Sequence, residues 1–355
     1  MLKIYINPDN FFPNHPGSTN VISTLIWDLD LSSQGKITSK HHPQLLYEPD
    51  VAKADICVLT MLWNFYIKHS KENLADLEIS QAEKNGKHIV IFGTRDYPAK
   101  IRNKNVVLFE SAGLNSRNTV LYHSGLPFFI NDYMDIYCQG TATFRHKRDV
   151  PSIGFCGQSN NSIIKQVWRA SKNNYHKINY HLGIEKWEPP PFETTSFRGR
   201  VLNAFDDDRL ETNFIVREKM RAGDPKIQSE QNRNKLAFIK NILESDYTIC
   251  MRGHGNYSIR FYETLSLGRI PIFIDTDCLL PFQDEIDYKS LFPWIDVKDL
   301  PYAAEILLEF HNNLSNDEFI NLQEKCRNLW LEHMTKDGFY RDFISKINTI
   351  VSVKN

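Results

Sequence analysis

Arg252, Gly253, Gly255, Ser258, Arg260 and Glu263 are gathered in one short stretch, YTICMRGHGNYSIRFYETLSLGRIPIFIDTD, Tyr247 to Asp277. Guanidinium groups, residues without side chains, a hydroxyl and a carboxylate in that order suit an anion with neighbouring hydroxyls. The runs YTICM and RIPIFID read as short buried parallel strands. Between them Ile259 to Leu267 makes about two and a half turns of helix at 3.6 residues each. Ser258 is a good N-cap and Gly268 a natural C′ stop. Such a strand, loop, helix, strand unit leaves the first-turn N–H groups at the carboxyl end of the sheet, where open α/β folds receive ligands. Arg252 and Arg260 can add charge-assisted bonds there, and Gly253 and Gly255 let a phosphate approach the backbone. Glu263, one turn beyond Arg260, can accept from vicinal hydroxyls. The pattern fits a diphosphate at the helix end and a ribose a turn further on. Spacing alone leaves a second reading open, in which Arg260 and Glu263 form a surface pair worth about 0.2–0.5 kcal/mol and Gly-x-Gly is a plain turn.

The elements that must position these groups repeat along the chain. In the first 140 or so residues LKIYI, ADICVLTM, KHIVIFG and NVVLFES alternate with helix-compatible segments such as Lys71 to Gly86, the rhythm of a parallel sheet. Gln139 to Ser152 is polar and basic, and the division between two α/β halves is placed there. The pattern restarts with SIGFCGQ and with Ile163, Ile164, Val167 and Trp168 at helical spacing. WEPPPF at 187–192 reads as a stiff insertion, Asp224 to Asn234 as a loop, and the chain after Leu300 as mainly helical. The expected domains are 1–145, 151–330, and a C-terminal segment, 331–355, returning to the N-terminal half.

Bulk properties exclude several classes. A length of 355 residues suits two domains, and 42 basic against 43 acidic residues give no field for nucleic acid. Six widely spaced cysteines read as reduced core residues and show neither a zinc nor a disulfide pattern. The N-terminus lacks the features of a signal peptide, and no run has the roughly 18 apolar residues of a membrane span. A cytoplasmic protein is expected, with peripheral membrane contact through a local patch left open.

The block Ser245 to Tyr288 resembles the signature of the exostosin-like glycosyltransferases, glycosyltransferase family 47. The matching positions are Ser245, Tyr247, Gly253, Arg260, Glu263, Gly268, Pro271, Asp277, Leu280, Pro281, Phe282, Ile286, Asp287 and Tyr288. SIGFCGQ, with Gly157, resembles the strand and Gly loop that open the family's donor domain. RLETNFIVREKM resembles a segment that brings an arginine, here Arg217, near the donor. The resemblance implies an α/β GT-B architecture, two Rossmann-like domains facing across a cleft, with the C-terminal one holding a nucleotide sugar. It implies inverting transfer, usually from a UDP-sugar, to a glycan hydroxyl; with no apolar span read in the sequence, work on a surface polysaccharide or lipid-linked glycan is expected.

Such a transfer needs a base on a loop at the carboxyl end of an N-terminal strand. Asp96 in FGTRDYP and Asp9 in INPDN meet that condition, with His123 a third candidate; either aspartate could instead be a cap or turn former. Asp275 and Asp277 imitate an Asp-x-Asp metal motif and Asp206 to Asp208 form an acidic run. Both read as structural, so neither a metal nor another cofactor is expected beyond the sugar nucleotide itself. Alternatives are a GDP-fucose-dependent fucosyltransferase, a UDP-sugar epimerase on the same scaffold, and a nucleotide-binding subunit without catalysis.

Overall fold

Runs of Ile, Val and Leu flanked by polar segments become two parallel sheets in the computed structural model. It describes residues 2–10, 12, 28–30, 36–38, 45–94, 96–117, 119–159, 163–191, 193–217 and 228–353. The chain divides into two compact units. The first comprises Met1–Pro127, Asp277–Glu285 and Glu332–Asn355, the second Phe128–Thr276 and Ile286–Leu331.

The first unit holds β1 (Leu2–Tyr5), β2 (Asp28–Asp30), β3 (Lys36–Thr38), β4 (Leu45–Tyr47), β5 (Ile56–Val58), β6 (Ile89–Gly93), β7 (Val106–Glu110) and β8 (Tyr122–Gly125). Six of them pair in the order β4-β1-β5-β6-β7-β8, all parallel, while β2 and β3 form a separate antiparallel pair. Every residue of β6 and β7 is buried, as expected of central strands covered on both faces. Helices α1 (Trp63–Lys68) and α2 (Glu72–Lys84) follow β5. The chain's last helix, Lys336–Ser352, belongs to this unit too: Phe343 packs 5.9 Å from Phe92, and Phe339 lies 5.7 Å from Phe109. Phe282 joins the same cluster, 5.9 Å from Phe109. The Leu-Pro-Phe part of the signature block is thus built into the first unit's core.

The second unit holds β9 (Ser152–Gln158), β10 (Glu211–Arg217), β11 (Tyr247–Cys250), β12 (Ile270–Asp275) and β13 (Trp294–Asp296), parallel in the order β10-β9-β11-β12-β13. Its helices are α3 (Tyr133–Cys138), α4 (Ile163–His181), α5 (Thr194–Asn203), α6 (Gln228–Glu244), α7 (Ile259–Ser266), α8 (Ala303–Asn312) and α9 (Asn316–Leu329). The α/β class and the two parallel sheets agree with the sequence reading. None of the six cysteines forms a disulfide, and all but Cys138 are buried.

Three boundaries differ from the sequence reading. The first crossing between units falls at Pro127/Phe128 rather than at 145–151, because residues after Phe128 are tied to second-unit side chains. Phe128 stacks on Tyr257 at 4.5 Å, and the Asp132 carboxylate accepts from both terminal nitrogens of Arg327. Asp277–Glu285, inside one expected domain, returns to the first unit. The segment read as a loop to Asn234 is helical from Gln228; 218–227 lies outside the described residues.

Candidate functional site

Helix α7 begins where the sequence places it, with Ser258 at the N-cap position in extended backbone (φ −125°, ψ 110°). Its hydroxyl makes no capping bond, so Ser258 leaves the helix's first N–H groups to other acceptors. The loop before it is braced from within. Gly253 N–H donates to the Tyr257 carbonyl at 2.9 Å. Arg252 is 5% exposed and turns its guanidinium onto the Asn256 side chain (3.1 Å) and the His254 carbonyl (3.0 Å). Thr276 donates to the same Asn256 oxygen at 2.6 Å. Arg252 therefore holds the loop's shape, a use that the spacing did not reveal. Gly255 is buried in that loop. A Cβ on Gly253 would meet nothing nearer than 3.9 Å, with the Arg198 guanidinium 4.0 Å away, so its face is open beside an arginine.

Arg260 points across the sheet. Its terminal nitrogens donate to the Cys156 carbonyl at 2.7 Å and the Ile249 carbonyl at 3.3 Å, and its guanidinium lies 4.4 Å from the Phe155 ring centre. Gly157 makes room for this: it sits inside β9, and a Cβ there would come within 2.9 Å of Arg260 Nη2. The residue read as part of a donor-binding loop is instead a strand glycine that seats the arginine. Arg198, on α5, donates to the Gln158 carbonyl at 3.3 Å, at the end of β9. The Nε atoms of Arg198 and Arg260 are both buried without a hydrogen-bond partner. Burial lowers both guanidinium pKa values, that of Arg198 to about 10, with the neighbouring Arg260 charge its next cause. Among the described residues neither bonds a carboxylate.

Glu263 is on α7 as expected, but it neither pairs with Arg260 nor stands alone. Its Oε1 accepts from Lys235 at 3.0 Å and from the Tyr133 hydroxyl at 2.8 Å. Burial and the Glu263 charge push the Tyr133 phenol upward, so it remains a donor. Both bonds fall on Oε1, which leaves Oε2 to accept from a ligand. Arg217 ends β10 and donates to the Asn234 carbonyl at 3.1 Å. Arg198, Lys235 and Tyr133 escaped the sequence reading. Only the burial of Phe197, Val201 and Leu202 around Arg198 gives its helix an inward face, and their apolar spacing was the one available signal.

The base candidates lie in the first unit, at the carboxyl ends of β1 and β6. Asp9 is exposed in the turn Pro8–Asn10, its N–H donating to Asn7 Oδ1 at 3.1 Å. Asp96 is half-buried in the loop after β6, whose start is fixed by Thr94 N–H donating to Asn64 at 2.7 Å. His123 does not have a free ring nitrogen: Nδ1 donates to the Arg117 carbonyl at 3.0 Å and Nε2 meets Glu110 Oε1 at 2.9 Å. As a base it would first have to break one of these bonds.

The acidic motifs are occupied by protein partners. Asp277, in left-handed backbone (φ 64°), accepts from Ser116 N–H at 2.9 Å and from its hydroxyl at 2.5 Å. Asp207 accepts from Arg209 at 2.6 and 2.8 Å. No group of three or more His, Cys, Asp or Glu arranged to hold a metal occurs among the described residues.

Comparison with known proteins agrees with the signature block. Residues 194–310, about a third of the chain, match the Exostosin GT47 domain, and the match takes in α5 with Arg198. Probable beta-1,4-xylosyltransferase IRX10L of Arabidopsis thaliana is 31% identical over 70 residues, 20% of this chain and 17% of that protein. Exostosin-1 of Drosophila melanogaster is 28% identical over 103 residues, 28% of this chain and 13% of that protein. The chain thus spans under a fifth of the length of these curated relatives. Among solved structures, the GtfA/B complex aligns with 84% of this chain and 58% of its own, at 9% identity and a TM-score of 0.38. S. aureus TarM, solved with UDP, aligns with 82% of this chain and 55% of its own, at 9% identity and a TM-score of 0.36.

Proposed function

We propose that the protein is an inverting glycosyltransferase that moves a sugar from a nucleotide sugar, UDP-linked, to a hydroxyl of a glycan acceptor. The observation that carries this reading is the pair of buried guanidiniums, Arg198 and Arg260, held by main-chain carbonyls beside the open face of Gly253 within the GT47 match. Two buried cations with no carboxylate bonded to them favour an incoming anion, here a diphosphate.

In the displacement, the acceptor oxygen bonds to the anomeric carbon as the bond from that carbon to the diphosphate oxygen breaks. The acceptor proton passes to a carboxylate, for which we propose Asp96 or Asp9, and the diphosphate leaves with the electron pair. Arg260, Arg198 and the first-turn N–H groups of α7 stabilise the charge that develops on the diphosphate. Glu263 Oε2 accepts from the ribose hydroxyls. No metal enters this scheme, and activity is expected to survive a chelator. Cytoplasmic transfer to a surface polysaccharide or lipid-linked glycan completes the proposal.

Calorimetric titration of UDP, GDP and CMP into the protein without metal tests the donor site. Selective UDP binding that Glu263→Ala weakens supports the reading. Preference for GDP points to the fucosyl alternative, and no nucleotide binding removes the donor site altogether.

A further inference from the structure

Helix α4 turns its apolar side outward. Trp168, Tyr175 and Ile178, with Leu182 and Ile184 just beyond the helix, are 65%, 62%, 58%, 68% and 68% exposed. At about 100° per residue, Trp168, Tyr175 and Leu182 fall within about 40° of one another and Ile178 about 40° further round, so they form one stripe. The polar side of the helix faces the returning chain instead. Asn173 donates to the Pro190 carbonyl at 3.1 Å, Lys177 to the Pro191 carbonyl at 2.9 Å and Tyr180 to Glu188 at 3.3 Å. These three positions lie about 120–180° from Trp168. A helix serving only the core would point the stripe the other way.

The charge around the stripe identifies what would cover it. From Val150 to Ile184 the chain has no Asp or Glu, whereas Lys165, Arg169 and Lys172 lie on this helix within about 40–100° of Trp168; the carboxylates that follow, Glu185 and Glu188, bond His176 and Tyr180. The whole chain has a net charge of −1, so this is a local concentration. Lys172 lies 5.8 Å from the Trp168 ring centre, an apolar stem along the stripe with a cationic head at its edge. Aromatic and aliphatic groups flanked by lysines match the boundary between acyl chains and anionic headgroups. No helix among the described residues is long and apolar enough to cross a membrane.

We infer that α4 is a membrane-surface helix, which lies on an anionic phospholipid bilayer with Trp168, Tyr175, Ile178 and Leu182 inserted at the headgroup level. A protein partner would need a carboxylate-lined apolar groove for the same face; the absence of any acidic residue over so long a run favours the uniformly anionic lipid surface.

Flotation of the full chain with vesicles tests this. One set is phosphatidylcholine alone, the other phosphatidylcholine with phosphatidylglycerol at three to one. Binding is expected on the anionic vesicles, weakened by about tenfold or more on neutral ones and by high salt. The double variant Trp168→Ser with Leu182→Ser is expected to lose about tenfold or more of that binding, at an unchanged thermal melt. Nucleotide titration of the same variant keeps the outcome separate from the donor-site proposal, since α4 contributes none of the donor-site groups named above. No flotation on anionic vesicles, or flotation indifferent to the double variant, overturns the inference. A concentration-dependent dimer that this variant disperses, without flotation, overturns it in favour of a protein interface.

Discussion

Glu78 in the first unit and the pair Arg198 and Arg260 in the second are buried charges handled in opposite ways. In the first, Glu78 on α2 is 6% exposed and surrounded by donors: Asn10 Nδ2 at 2.8 Å, Thr60 N–H at 3.2 Å and the Tyr66 hydroxyl at 3.0 Å. Thr60 Oγ1 lies 3.0 Å from the carboxyl group and 2.9 Å from the Asn7 carbonyl, so one group joins the loops after β1 and β5. In the second unit, Arg198 and Arg260 are half-buried as residues, their guanidiniums have carbonyl partners alone, and each keeps a buried orphan Nε. A saturated buried charge ties architecture together. An unsaturated one costs stability, and beside the open face of Gly253 it supports the proposal that Arg198 and Arg260, and not Glu78, meet the ligand.

The sharpest way to break that contrast is Arg260→Ala. Losing a donor to the developing diphosphate charge is expected to lower turnover by about 10²–10³-fold, or ~2.7–4 kcal/mol in the barrier. The thermal melt should stay near wild type, since no carboxylate is left unpaired by the change. Arg260→Lys should not restore turnover, because an ammonium cannot reach both carbonyls and a ligand in the plane of a guanidinium. An enzyme that keeps most of its turnover without Arg260 would end the assignment. Arg198→Ala comes next in size. One charge-assisted contact of ~1.5–3 kcal/mol corresponds to a fall in UDP affinity of about ten- to a hundredfold, with uridine binding little changed. Equal losses for UDP and uridine would mean that Arg198 shapes the loop rather than meeting the diphosphate.

Much of this was legible before the fold was seen. Apolar runs gave β1, β5, β6, β7, β9, β11 and β12, and the punctuation by Ser258 and Gly268 gave α7. What escaped depends on distance in sequence. Edge strands β4, β8 and β13 are three or four residues long and carry too few apolar positions to stand out. Arg198 lies 62 positions before Arg260, and the two meet only because α5 and α7 flank the carboxyl ends of β9 and β11. Glu263 was placed on the right turn, but its partner Tyr133 is 130 residues away. Trp168 shows the converse: its spacing reads as helical, and periodicity alone does not say which way an amphipathic stripe faces.

The first unit's side of the contrast is tested by Glu78→Gln. Burial is the largest cause raising the Glu78 pKa above its ordinary value of 4.5, and its four bonding contacts pull back against it. The native state therefore holds this proton at pH values where the unfolded chain has released it. The stability linked to the raised pKa is fully present below the unfolded value and is lost as pH rises through the folded one. Wild-type unfolding free energy should fall over that window, which begins near pH 4.5, and glutamine, which does not titrate, should flatten the contribution. At acid pH glutamine should also be less stable by ~1–3 kcal/mol, since its amide turns a donor toward Thr60 N–H. Urea denaturation of both proteins from acid to neutral pH measures the two effects together. A difference between them that stays constant with pH would show that Glu78 titrates alike in the folded and unfolded chain, so that burial and its donors cancel. A difference that grows toward neutral pH in favour of wild type would show that its donors outweigh burial, making Glu78 a conventionally ionised anchor.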